Sequence, residues 1–234
     1  MNADVRRFLS GLAPLVVAAA IAAPLLVVLA SVIAPAAGTS AHVWSTTGPL
    51  YLANTAALAL MVAAGALALG VPTAALAAIT EFPGRRFLAV ALALPLAVPA
   101  YIAAYAYGDL AGPFGPIAAV FGAAPDVKSL PGAAFVLTLA NYPYVYLAAR
   151  ASFDSRSGAL LEAARAQGAS PARAVLSVLA PAGRAAIMGG LALALMETVA
   201  DYGVADYAGV PTLSVGVFRT WRGLGDLVAA SQIA

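Results

Sequence analysis

Long apolar stretches separated by short polar ones set the pattern of this chain. No charged residue lies between Arg7 and Glu81. A helix needs about 20 apolar residues to cross a bilayer, so that interval has room for more than one crossing. The runs predict spans over residues 9–33, 51–79, 87–108, 131–149 and 185–200, and residues 226–234 read as the first turns of a sixth, where the chain stops. Pro95 and Pro99 should bend the third span, and neighbouring helices must then satisfy the carbonyls this frees. The fourth carries Asn141-Tyr-Pro-Tyr-Val-Tyr146, read as a tyrosine-rich kink. Residues 35–49 and 109–130 read as loops, the second with a short helix near Pro116–Phe121, and Glu81–Arg86 as a tight turn. The expected fold class is an all-α polytopic membrane protein with five spans plus the start of a sixth. A transmembrane barrel would need segments of about 10 alternating residues, a pattern this sequence lacks.

One polar island breaks the rhythm, Leu161 to Pro181. It predicts two short helices joined by a bend. Gly168 suits the left-handed stop of the first, Ser170 the N-cap of the second, and Pro171 its first helical position. Ala172, Val175, Leu176 and Leu179 follow a helical period and should share one face. Pro181 is expected to close that helix. A bent element with one apolar face, held outside the bilayer, suits docking to a partner protein.

Composition supports the membrane reading, at 63% hydrophobic and 9% charged residues. With no cysteine, there is neither a disulfide framework nor a thiolate metal site. The only lysine, Lys128, follows Val127, so the phosphate-binding Gly-x-x-x-x-Gly-Lys-Ser/Thr run is missing. Any ATP-driven step must use another chain. His42, the single histidine, reads as a solvated loop residue, and no cofactor, metal site or enzymatic chemistry is expected.

Charge placement orients the chain. Five crossings put Arg6, Arg7, Arg85, Arg86, Arg150, Arg156, Arg165, Arg173 and Arg184 on one side, against Lys128, Arg219 and Arg222 on the other. The excess of positive residues marks the cytoplasmic face. The island and the N-terminus are therefore expected inside the cell, and Trp44 and Trp221 at the outer interface.

Candidate chemistry clusters after the fifth span. Glu197 and Asp201 are four residues apart and would share a face if the helix continued, with Tyr202, Asp206 and Tyr207 close in sequence. Ionisable residues in a span point to function, and hard oxygen ligands suit a hard cation. These residues are candidates for a substrate path. The alternative is that they cap the helix end at the interface. Asn141 is expected to bond a neighbouring helix.

The island resembles the signature loop of the membrane subunits of ABC importers. Glu162, Ala163, Ala164, Gly168 and Pro181 stand at the family's spacings, Val178 replaces its isoleucine, and Ala180 departs from its leucine. The resemblance implies a type I importer transmembrane fold over residues 50–234, incomplete at its C-terminal end, after a region 1–49 holding the tail, first span and outer loop. It implies that the island docks on a cytoplasmic ABC ATPase dimer. It also implies a second permease half, an external or periplasmic solute-binding protein, and a bacterial inner-membrane location among lipid, with no nucleic acid partner. Tyr142-Pro-Tyr-Val-Tyr146 and the run from Met196 to Trp221 look most like ferric-iron permeases. Thiamine or another small solute, or a truncated scaffold that does not transport, remain as alternatives.

Overall fold

The computed structural model describes residues 3–35, 38–112, 114–122, 126–166 and 168–234, and side chains outside 3–13, 156–163, 165 and 171. Every regular element among the described residues is helical. In chain order these are α1 (Ala3–Ile33), α2 (Thr39–Thr46), α3 (Gly48–Ile79) and α4 (Arg85–Ala91), the last followed by a 3-10 turn at Leu94–Ala97. Then come α5 (Ala100–Leu110), α6 (Pro116–Phe121) and α7 (Leu130–Ala166). α8 (Pro171–Ala174) passes through a π-helical turn at Val175–Leu179 into α9 (Ala180–Ala182), and α10 (Arg184–Ala200) follows. α11 (Gly203–Tyr207), α12 (Leu213–Phe218), a second π-helical turn at Arg219–Gly223, and α13 (Leu227–Ile233) complete the chain.

The chain divides into two compact units, residues 1–49 with 216–234, and residues 50–215. In the first, α1 is bare from Pro14 to Ile33, with none of that window buried. A uniformly apolar helix without protein cover is suited to lipid. Its last carbonyls are taken up by Gln232 on α13, whose Nε2 donates to the Ala34 carbonyl at 2.9 Å while its Oε1 accepts from Ser40 Oγ at 2.7 Å. Asp226 caps α13 through the Ala229 amide at 2.8 Å. The region 35–49, expected as loop, contains α2, because Thr39–Thr46 has nothing to break a helix.

The second unit is built around α7. Tyr142, Val145, Tyr146, Ala149 and Phe153 form a core with Ala66, Ala74 and Ala77 of α3, Leu179, and Ile187 and Leu191 of α10. Nearer the start of α7, Ala133, Val136 and Leu137 meet Leu58 and Val62 of α3, Ala104 of α5, and Val204 and Ala208. The small residues set the spacing, since without large side chains the backbones approach closely. Gly190 is the clearest case: a Cβ there would lie 2.6 Å from the Tyr144 carbonyl oxygen. Asn141 Nδ2 donates to Thr198 Oγ1 at 3.2 Å, the helix-to-helix bond expected of it.

The third span breaks where its prolines require. Arg85–Ala97 and Ala100–Leu110 meet at 100°. On either side of Pro95, Ala93 and Leu96 turn their amides to the carbonyls three residues back, Val90 and Ala93. That leaves the Ala89 and Leu92 carbonyls without their usual helical donors. Tyr146 donates to Ala89 O at 2.9 Å and Tyr142 to Leu92 O at 2.8 Å. Arg85 also turns back, with Nε and Nη2 bonding the Ala77 and Ala78 carbonyls at 2.6 and 2.9 Å and so capping α3.

Length and apolarity qualify Pro14–Ile33 and Gly48–Ile79 as spans, and up to four if the bent pairs Arg85–Ala97 with Ala100–Leu110 and Ala172–Ala182 with Arg184–Ala200 each count as one. The expected fourth span lies in α7, which at 37 residues is long enough but carries Asn141 and three tyrosines and is not among those that qualify. Its helix continues without a break over Pro143 and into the island. The expected first short helix of the island is therefore the end of α7.

The packing of α10 on α7 generates a paired test. Gly190→Ala should destabilise the protein by about 1–3 kcal/mol, because its methyl meets backbone that cannot yield. Gly189→Ala, with nothing within 4 Å of the added methyl, should be neutral or stabilise by about 0.5–1 kcal/mol. Thermal unfolding of the two variants in detergent measures the difference.

Candidate functional site

The elbow after α7 is the clearest candidate. α7 stops at Ala166, and Gly168 takes φ +78°, the left-handed conformation expected of it. The Ala169 amide reaches back to the Ala164 carbonyl at 3.0 Å and closes the helix end. Ser170 then caps α8, with a long 3.4 Å bond from the Arg173 amide to its Oγ. The two arms meet through Ala164 and Ala174, both buried, with Ile79, Ala169 and Val178 around them. A larger residue at either alanine would prise the arms apart. Glu162 and Ala163 belong to the last turns of α7, and their side chains lie outside the described ones.

Two expectations for the second arm are corrected. Pro181 does not close it: the helix runs on through Ala182, and the break falls at Gly183, where the arm meets α10 at 80°. The π-helical turn accounts for this. Widened so that the Ala180 amide reaches back to Val175, it relaxes the helix just ahead of the proline. The same turn divides the predicted apolar face. Leu179 is buried at 1% exposure and Val175 half-buried, whereas Leu176 is 70% exposed and Ala172 is exposed beside Arg173 and Ser177. The free surface of the elbow is therefore Ala172, Arg173, Leu176 and Ser177. A straight 3.6-residue period missed this because it did not include the extra residue per turn.

The second candidate lies where α10 ends. The helix does not continue past Ala200, and Asp201 is extended at ψ 122°. Glu197 and Asp201 therefore do not share a helical face. Asp201 Oδ1 accepts from the Val204 and Ala205 amides at 2.8 and 3.3 Å and starts α11, while the Ser214 hydroxyl donates to its carbonyl at 2.6 Å. Tyr202 donates to Asp206 Oδ2 at 3.1 Å. Glu197 is exposed beside Met196 on the open side of α10. Among the described residues no three His, Asp or Glu side chains are grouped to hold a metal. The capping alternative thus describes Asp201, and Glu197 is the carboxylate left on an open face. Tyr207 stacks edge-on against Tyr105 at 4.6 Å and lies under Lys128, 5.5 Å from the ring centre.

An apolar helical bundle with a bent, partly apolar elbow on the end of its longest helix has the make-up of a membrane protein. Residues 67–220 match the model of the family described as binding-protein-dependent transport system inner membrane component, and the chain belongs to that family. It is a family of transport permeases, not of enzymes. The chain is 25% identical over 171 residues to an Fe(3+)-transport system permease protein of Haemophilus influenzae, covering 73% of this chain and 31% of that one. It is 28% identical over 138 residues to a probable molybdenum ABC transporter permease protein of Haloferax volcanii, covering 59% and 51%. With a probable sulfate transport system permease protein of Nephroselmis olivacea the identity is 34% over 127 residues, covering 53% and 44%. The chain thus spans about half or less of the length of these relatives, and their names carry three different cargoes.

The Asp201 cap generates a test of its structural role. Asp201→Ala should lower stability by about 0.5–2 kcal/mol, the value of a helix N-cap, while Asp201→Asn, which keeps the acceptor oxygen, should cost only a few tenths. Chemical or thermal unfolding followed by circular dichroism distinguishes them.

Proposed function

We propose that this chain is a permease subunit of an ABC importer that takes its driving force from a separate cytoplasmic ATPase through the elbow. The observation that carries the reading is the elbow itself. It is closed by Gly168, packed through Ala164 and Ala174, and offers Leu176 and Arg173 outward. In this reading Glu162, Ala163, Ala164, Gly168 and Pro181 form the coupling loop, and the arginine distribution puts it and the N-terminus in the cytoplasm. An ATPase dimer, a second permease half and an external or periplasmic solute-binding protein complete the assembly. Closure of the ATPases would bias the bundle between two arrangements, and only differential contact at the elbow can supply that bias.

For the cargo we propose ferric iron. Supporting this are the iron-permease likeness, which covers more of the chain than the other two, and Glu197, Tyr202 and Asp206, whose oxygens suit a hard cation on its way through. Asp201 contributes negative charge to the same region while serving as a cap. Sulfate, molybdate, thiamine or no cargo at all are the competing outcomes.

The chain has no native cysteine, so a single one can be placed freely. A cysteine at Leu176 should crosslink to the ATPase, and one at Gly48 should not. In vesicles holding the reconstituted complex, labelled ferric iron presented with its binding protein should accumulate with ATP, and sulfate, molybdate and thiamine should not. Labelling of position 176 only from outside intact cells would overturn the orientation. A crosslinked complex that accumulates none of the solutes would favour the scaffold.

A further inference from the structure

On α7, residues 142, 146, 150 and 154 recur every four positions and so form one stripe along the helix. Each makes a polar contact. Tyr142 and Tyr146 hold the Leu92 and Ala89 carbonyls. Arg150 Nη1 donates to the Tyr146 hydroxyl at 3.1 Å, so that a relay runs from guanidinium to phenol to backbone carbonyl. Asp154 stands 3.5 Å from Arg150 Nε. That Nε is buried and makes no hydrogen bond, so the guanidinium is held chiefly through the tyrosine and the carboxylate charge.

The stripe connects two features of the fold. At one end is the bent pair Arg85–Ala97 and Ala100–Leu110. Beyond the other, α7 runs without a proline from Tyr146 to Ala166, a rod of roughly 30 Å at the helical rise, and ends in the elbow. We infer that Tyr142, Tyr146 and Arg150 bolt the bent pair to α7, so that displacement of the elbow carries the bend with it as one body. They act as positioning residues, and the inference rests on the importer reading above.

Two physical considerations support the bolt. The carbonyls it holds have lost their usual helical donors, and in an apolar interior a carbonyl without a donor is costly. Sliding of α7 past the bend would break both tyrosine bonds together. Side-chain bonds in low dielectric also reinforce one another when linked in series, as Arg150, Tyr146 and Ala89 are. Ordinary apolar packing allows small slides between helices. This stripe fixes one register.

The test uses the full complex with its ATPase in vesicles. Spin labels on cysteines at Phe87 and Leu147, both exposed, report the distance across the bolt. In the wild-type background that distance should be the same without nucleotide and with trapped ATP. In Tyr142→Phe/Tyr146→Phe the two states should differ, and solute moved per ATP hydrolysed should fall about thirtyfold, the factor carried by two lost net hydrogen bonds, while hydrolysis continues. A purely structural role would lower thermal stability without changing that ratio. Wild-type coupling in the double variant, or a wild-type distance that changes with nucleotide, overturns the inference. If the double variant does not fold, the wild-type distance still decides. A wild-type complex with no ATP-driven uptake overturns the importer reading, and the bolt falls with it.

Discussion

The constraint on which the rest of the second unit depends is that a backbone carbonyl in an apolar bundle must find its donor inside the protein. A straight helix meets it automatically. The bent pair cannot, because two prolines and a 3-10 turn redirect the amides that would have served Ala89 and Leu92. The two tyrosine hydroxyls make the bend tolerable, and they come from α7, the helix that also carries the core and the elbow. Arg85 and Gln232 solve the same problem at the ends of α3 and α1. These four polar side chains serve backbone carbonyls in a sequence that has few polar residues to offer.

The elbow follows a different logic, that of close approach. Its arms join through two alanines, and a glycine in left-handed conformation turns the chain between them. The π-helical turn then sets which residues face outward. By adding a residue to the turn it sends Leu179 into the core and leaves Leu176 in the open. An exposed leucine next to an arginine is a common type of surface, and by itself it proves little. What gives it weight is its place at the end of a helix fixed to the rest of the bundle.

Much of this was legible in the sequence, and the parts that were not have a common cause. Apolar run length located α3, the bent third span, α6 and α10, and the Gly168–Ser170–Pro171 grammar located the turn of the elbow. Proline arithmetic anticipated that freed carbonyls would need partners. It could not name Tyr142 and Tyr146, because pairing across 50 and 57 residues of sequence is a property of packing. The periodic face on the second arm failed at the π-helical turn, and the shared face of Glu197 and Asp201 failed at Ala200, for the same reason. Both assumed that a regular helix continued where the backbone changes its hydrogen-bond register. Arg85 was read only as a sign of sidedness, although it caps α3 with its own side chain.

Glu197 remains as the residue whose surroundings bear most on the proposed assembly. It is exposed on α10, one turn from the exposed Leu193 and next to the exposed Met196. Turned toward lipid, a carboxylate near the end of a span is still costly, and none of the described residues one turn away on α10 is a cation. Toward water or a second protein the same position is tolerable, and residues of this kind face the bundle interior or an aqueous cavity. In the proposed importer, the Glu197 side of α10 would therefore lie against the other permease half or along the path between the two, whereas the bare, uncharged stretch Pro14–Ile33 of α1 suits lipid. The same argument separates the roles of the two carboxylates that the sequence placed together. Asp201 is committed to the backbone of α11, whereas Glu197 stands exposed on α10.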